Sequence, residues 1–224
     1  MDVILQVSEL KFATGEGVLI LDRVSFGVTR DGVALLVGPA SSGKTLLIKL
    51  LLREVSPTGG QILMLGRNVA RLPSGKISQL RRRVGYMPET PPILWDRPVL
   101  ENLEFKLRAL ATPREEMPDL ITRAIQLAGL DGEEETMAAE LPPLGQRQLA
   151  LALAMSTEPP LLLSDDPLRE LERGEQVAMV ELLDGVRRAG TALVVTAREP
   201  EPARRLVEST PQGVLVRLRQ EAVL

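Results

Sequence analysis

Neither cysteine nor histidine occurs among the 224 residues, and each absence removes a class of chemistry. Without thiols there is no disulfide framework and no thiolate metal site, which fits a reducing compartment, so a cytoplasmic protein is expected. Without imidazole there are no imidazole ligands or bases, and every Ser-His-Asp or Cys-His arrangement is excluded. Any reaction has to run on carboxylates, lysine, arginine or hydroxyls. Long apolar runs are missing too: none approaches the roughly 18 to 20 residues that cross a bilayer. The opening MDVILQVSEL carries an acid where a signal peptide carries basic residues, so a soluble or peripheral protein is expected. Nor is one sign of charge in excess. A formal net charge of -3 with 25% charged residues advertises no nucleic-acid or anionic-lipid surface, and no nucleic acid is expected as a partner.

What is present is apolar substance, 44% of the residues, enough to fill a real core in one domain with a sub-lobe. Short branched and apolar stretches around Val3 to Val7 and over residues 18–29 read as early antiparallel strands. VALLV, Val33 to Val37, is a continuous apolar run that suits a strand buried on both faces of a parallel sheet. A helix with Leu46, Leu47, Leu50 and Leu51 on one face follows. Then come a strand at QILML, a basic helix near Ile77 to Arg83 and a short strand at Val84 to Met87. The proline-rich link Pro88 to Pro98 breaks this order. Beyond it Leu100, Leu103, Leu107 and Leu110 recur at helical spacing, and Thr112-Pro113-Arg114-Glu115 reads as a capped helix start, with Gly129 as a stop. A helix at Leu144 to Met155, the strand LLLSDDP, a helix Gly174 to Arg188, the strand TALVVT and a last strand near Gly213 to Leu218 complete the chain. Alternating strands and helices at both ends therefore enclose a helical insert between Pro88 and Thr157.

GPASSGKT, Gly38 to Thr45, fits the phosphate-loop pattern G-x-x-x-x-G-K-[ST] and stands where that pattern needs to stand, after a strand and before a helix. Its glycines let the backbone curl so that N–H groups point inward at phosphate oxygens. Lys44 adds a charge for the outer phosphates, and the Thr45 hydroxyl can ligate Mg²⁺. The nucleotide-cradling candidates are thus Gly38, Pro39, Ala40, Ser41, Ser42, Gly43, Lys44 and Thr45. LLLSDDP is a second apolar strand that ends in carboxylates, where a sheet of this kind places its ligand site. Asp165 is the candidate to hold Mg²⁺ through water. A bland alternative is an exposed strand end bearing two solvated acids.

With these segments in order the sequence resembles the ATP-binding cassette (ABC) family over essentially its whole length, and within it the FtsE-type ATP-binding subunits of bacterial cell-division complexes. The stretches that carry the likeness are SPTGGQILMLGRNVARLPSGKISQLRRRVGYM, WDRPVLENLEF and LPPLGQRQLALALAMSTEPPLLLSDDP. A guanine-binding relative is disfavoured because no N-K-x-D occurs. The resemblance implies an α/β fold of the P-loop NTPase, ABC-type nucleotide-binding domain. That fold has a RecA-like, mostly parallel core and an antiparallel β subdomain in residues 1–87 and 158–224, with a helical subdomain at about 88–157. It further implies ATP and Mg²⁺ as cofactors and an integral membrane, permease-like partner (FtsX-like). Homo- or heterodimers of nucleotide-binding subunits, peripheral on the inner face of the cell membrane, are implied as well. Phe12 falls where the family stacks an aromatic on adenine, and is equally readable as a core residue of an early strand.

The catalytic positions depart from the family. Asp166 stands where a glutamate polarises the attacking water, and its carboxylate is one methylene short; misplacement of that size costs about a hundredfold in rate. Ala197 stands at the switch histidine, Glu89 at the Q-loop glutamine and Glu172 at the aspartate of the loop after the second carboxylate strand. The signature loop is Leu141-Pro142-Pro143-Leu144-Gly145. Its prolines offer neither the N–H nor the hydroxyl that the family presents to a partner subunit's γ-phosphate, though they also start a helix well. The expectation is a subunit that binds Mg-ATP with hydrolysis weak or absent; a working ATPase with a retuned site and a nucleotide-free scaffold are the alternatives. Arg81, Arg82 and Arg83 read as a solvated helix end or an anionic contact. Trp95, the only tryptophan, reads as an interface anchor or as packing under a loop.

Overall fold

Five apolar residues in a row, Val33–Val37, are all buried, because the strand they form is covered on both faces. The computed structural model describes residues 2–219. In chain order its elements are β1 (Val3–Ala13), β2 (Leu19–Thr29), β3 (Val33–Val37), α1 (Lys44–Leu51), β4 (Gly59–Met64), β5 (Arg67–Asn68), α2 (Ser74–Arg81), β6 (Gly85–Met87), α3 (Val99–Ala109), α4 (Met117–Ala128), α5 (Pro143–Met155), β7 (Leu161–Ser164), α6 (Arg173–Arg188), β8 (Ala192–Ala197), α7 (Arg204–Glu208) and β9 (Val214–Arg217). Among the described residues β6-β7-β8-β3-β9 form a sheet whose neighbours all pair in parallel, and β2-β1-β4-β5 form an antiparallel one.

The period-2 geometry of a strand divides the parallel sheet between two cores. Val33, Leu35, Val37, Leu162, Leu193 and Val195 face the side packed by α3, α4, α5 and α6. Ala34, Leu36, Leu161, Leu163, Ala192 and Val194 face the side packed by α1 and the antiparallel sheet. This is the mixed α/β architecture expected from the order of apolar runs. Each fully buried leucine or valine here contributes about 1.5 to 3 kcal/mol by leaving water.

Helix boundaries follow local chemistry. The Thr112 start is not realised: residues 113–116 make a turn closed by Glu116 N–H on the Pro113 carbonyl (3.1 Å), and regular helix begins at Met117. Pro118 is the reason, since it has no N–H to give the carbonyl four residues back and is tolerated only in a first turn. Gly129 does end α4, at φ 68°, a left-handed turn that glycine enters without strain. The basic helix also sits a few residues earlier than its charge pattern suggests, at Ser74–Arg81. Arg81 is engaged by the fold. It donates to the carbonyls of Leu52 (2.7 Å) and Arg53 (3.0 Å) at the end of α1, where a cation meets unpaired carbonyls and the negative end of the helix dipole.

The proline-rich stretch before α3 is irregular but tied down. Asn102, 2% exposed, accepts from Leu94 N–H (2.8 Å) and donates to the carbonyls of Leu94, Arg97 and Pro98. Ala139 N–H on the Trp95 carbonyl (3.2 Å) adds a second tether. Trp95 itself keeps 44% of its surface exposed. Among the described residues no helix is long and apolar enough to cross a membrane.

Lys106 of α3 crosses to α5 and donates to the Leu153 carbonyl, and burial lowers its pKa to about 8. A depressed lysine pKa means that the folded state binds fewer protons than the unfolded chain between pH 8 and 10.5, so stability rises with pH across that window. Tyr86, which burial and then the Asp165 and Glu54 carboxylates raise to about 12, acts in the opposite direction only above pH 10. Urea midpoints measured from pH 8 to pH 10 should therefore climb in the native protein, and Lys106→Met should flatten that slope.

Candidate functional site

In a parallel sheet all C-termini lie on one edge, and ligand sites of open α/β sheets form there. Register pairs Val37 of β3 with Ala197 of β8, Ser164 of β7 with Val195 of β8, and Met87 of β6 with Ser164. The residues that follow these strand ends are Gly38, Asp165, Asp166, Arg198 and, after a short step, Glu89. Residues far apart in sequence are thus gathered on one edge by strand pairing.

The loop from Gly38 to Gly43 needs both of its glycines. A Cβ at Gly38 would lie 2.5 Å from the Leu218 carbonyl and from Ser42 Oγ, and Gly43 sits at φ 87° with Leu21 2.8 Å from its missing Cβ. Ser41 is also left-handed, at φ 61°; alternation of this kind turns successive N–H groups toward one concavity. Lys44, 9% exposed, folds across the loop and donates to the carbonyls of Gly38 (2.6 Å) and Pro39 (2.7 Å), with Ser42 Oγ at 3.4 Å. Burial holds its pKa below the usual lysine range; the carboxylates of Asp166 and then Asp165 oppose that shift, and Arg198 adds to it. Thr45 comes next, partly buried in the first turn of α1. Phe12 lies one strand away: it pairs with Leu21, the residue against Gly43, and packs partly buried on the core.

The two aspartates occupy different environments. Asp165 is 2% exposed; its N–H bonds the Met87 carbonyl (2.8 Å) and its Oδ1 accepts from the Thr196 hydroxyl (2.7 Å). Its Oδ2 is buried and, among the described residues, has no hydrogen-bond partner. A buried carboxylate oxygen left open is costly, and a hydrated Mg²⁺ would satisfy it, so the donor set of Asp165 and Thr45 fits that ion. Asp166 takes a left-handed φ of 49°, and its N–H is held by the same Thr196 hydroxyl (2.8 Å). Its carboxylate faces Arg198, Nε to Oδ2 3.7 Å. Burial raises the Asp166 pKa; Arg198 is the largest opposing influence, Asp165 reinforces the rise, and Lys44 and Arg147 resist it.

Glu89 pairs with Arg169 from the loop after β7. Arg147, buried in α5, fastens the same two segments by donating to the carbonyls of Glu89 (2.9 Å) and Arg169 (3.3 Å); burial lowers its pKa, opposed by Glu170 and Asp166. Glu172 caps α6 in a reciprocal box with Glu175. Pro142 and Pro143 begin α5 as N-cap and first helical residue, the local role proline performs well. Thr196, Arg198 and Arg147 are the site residues that sequence reasoning missed. Each had a signal: a hydroxyl near the end of an apolar strand, a cation just past it, and the one charged residue of α5.

The ABC transporter family profile matches residues 21–169. The chain is 27% identical over 204 residues to the methionine import ATP-binding protein MetN of Geobacillus kaustophilus, covering 91% of this chain and 60% of that protein. It is 25% identical over 206 residues to the cell division ATP-binding protein FtsE of Mycobacterium tuberculosis, covering 91% and 90%. The chain thus spans about 60% of the length of the methionine import relative. Among solved structures cbiO1 from Clostridium perfringens, part of the ABC transporter complex cbiONQ, superposes with a TM-score of 0.85 at 20% identity, covering 92% of this chain and 82% of that one. At that identity the likeness is one of fold.

Replacing the Thr196 hydroxyl by a methyl, Thr196→Val, leaves Asp165 Oδ1 and the Asp166 N–H without their shared partner. Chemical denaturation should report a loss of about 1 to 3 kcal/mol, while Thr196→Ser should retain most of the stability.

Proposed function

The chain belongs to the ABC transporter family, and on that premise we propose that it is the ATP-binding subunit of a membrane complex, binding Mg-ATP and hydrolysing it slowly or not at all. One contrast carries the reading: at the same sheet edge an intact phosphate loop and an open Asp165 Oδ2 stand beside Asp166 and Ala197, where the family has a glutamate and a histidine. In this reading N–H groups of the loop between Gly38 and Thr45 cradle the phosphates, with the side chains of Pro39, Ala40 and Ser41 at the rim of the loop and Ser42 buried beneath it. Lys44 exchanges loop carbonyls for phosphate oxygens, Phe12 flanks the base, and Thr45 and Asp165 hold the ion, Asp165 through water. Bound Mg²⁺ supplies charge neutralisation and orientation of the terminal phosphates.

Asp166 has the wrong reach for a base. Its chain is one methylene short, its N–H is anchored on Thr196, and Arg198 competes for its carboxylate. Glu89 presents an acid where a neutral amide serves the family, and the prolines at 142 and 143 withhold donors from a facing subunit's nucleotide. Nucleotide then acts by favouring a closed pair of subunits, which biases a membrane partner through differential binding of two states.

The finer reading is FtsE-like: a single nucleotide-binding domain with its helical part at about 88–157, peripheral on the inner membrane face, serving division or export with an FtsX-like permease. Likeness to FtsE over nine-tenths of both chains supports it. The methionine importers match at similar identity, so the partner is the discriminating measurement, and co-purification from membranes identifies it.

Phosphate release by the native chain with its partner should be slow, and Asp166→Glu should raise it by up to about a hundredfold. Lys44→Ala should abolish Mg-ATP binding in equilibrium titration. Turnover typical of the family in the native chain, falling on Asp166→Glu, would instead identify a retuned working ATPase. No Mg-ATP binding up to millimolar concentration would identify a scaffold.

A further inference from the structure

We propose that Arg198 is a second cationic ligand for the terminal phosphate of a nucleoside triphosphate, parked on Asp166 until that phosphate arrives. The inference rests on the Mg-ATP binding proposed above and concerns a residue that the family pattern does not supply.

Position comes first. Val37 and Ala197 are register partners, and the Gly38 N–H bonds the Ala197 carbonyl at 3.3 Å. Arg198 therefore leaves the sheet beside the first residue of the phosphate loop. It lines a cleft of about 420 Å³ together with Asp166 and Arg169, to which Ala197 adds only a methyl group.

The present partnership of Arg198 is weak. At 3.7 Å from Asp166 the contact is an ion pair outside hydrogen-bond range, and with 61% of the arginine side chain exposed it contributes little. A guanidinium makes two parallel charge-assisted bonds to a phosphate, so a phosphate held over Lys44 outcompetes Asp166 for it. The electrostatics agree. Arg198 and Lys44 are like charges at one sheet edge, an arrangement relieved when an anion sits between them.

The rim of the cleft limits what that anion can be. Glu170, Glu199 and Glu201 also line it, and their charges repel a loose phosphate. Only a phosphate already anchored by the loop reaches Arg198, so the arginine reads the terminal group of a triphosphate and leaves a diphosphate unread.

Calorimetric titration of the full chain with Mg-ATP and with Mg-ADP tests this. Arg198→Ala should weaken Mg-ATP by about ten- to a hundredfold while moving Mg-ADP less than about twofold, and Arg198→Lys should recover part of the loss because the charge remains without the fork. Equal effects on both nucleotides, or none on either, overturn the assignment of Arg198 while the proposed nucleotide binding stands. Native chain that binds neither nucleotide overturns both. Unchanged thermal melting of the ligand-free variants separates lost recognition from lost fold.

Discussion

Parallel pairing of β7, β8 and β3 is the constraint on which the rest of the molecule depends. Because the three strands run the same way in fixed register, their last residues deliver a phosphate loop, two aspartates and an arginine to a single edge. A slip of one residue would turn each of these side chains to the opposite face. Both faces of the sheet are packed by apolar side chains, so no such slip is tolerated. The energy that holds the register is hydrophobic and lies beneath the site; the chemistry lies on top of it.

Charges on that edge are compensated locally, and the pattern of compensation says what the edge is for. Lys44 is satisfied by loop carbonyls, Arg147 by the carbonyls of Glu89 and Arg169, and Asp165 by one hydroxyl on one oxygen only. Asp166 and Arg198 hold each other loosely. Arg147 has a structural duty and is hydrogen-bonded to backbone, whereas Lys44 and the groups left partly open are the ones a nucleotide and its metal ion would complete. Thr196 is the hinge between the two classes, since one hydroxyl both orients Asp165 and fixes the backbone of Asp166.

Much of the fold could be read from short apolar runs and their punctuation. VALLV, LLLS and ALVVT are buried strands as their unbroken hydrophobicity implies, and Gly129 ends α4 as its freedom at positive φ implies. The start of α4 was misread because a capping pattern at Thr112 is local, while Pro118 vetoes a continuous helix four residues later. Arg81 looked solvated because the carbonyls it caps belong to α1, nearly thirty residues earlier. Glu172, which stands at the family's loop aspartate, also has a local role that only the structure shows, capping α6 in a reciprocal box.

By itself the sequence determined the phosphate loop, the strand that ends in paired aspartates and the family to which they belong, because those features are contiguous and their chemistry depends on spacing along the chain. Only the tertiary structure decided that Asp165 and Asp166 are unlike, that Thr196 serves both, that Arg147 clasps two loops, and that Arg198 stands between Asp166 and the phosphate loop. Those facts come from strand register and side-chain burial. Both are set by packing between segments distant in sequence, such as β7, β8 and β3, and no local pattern records them.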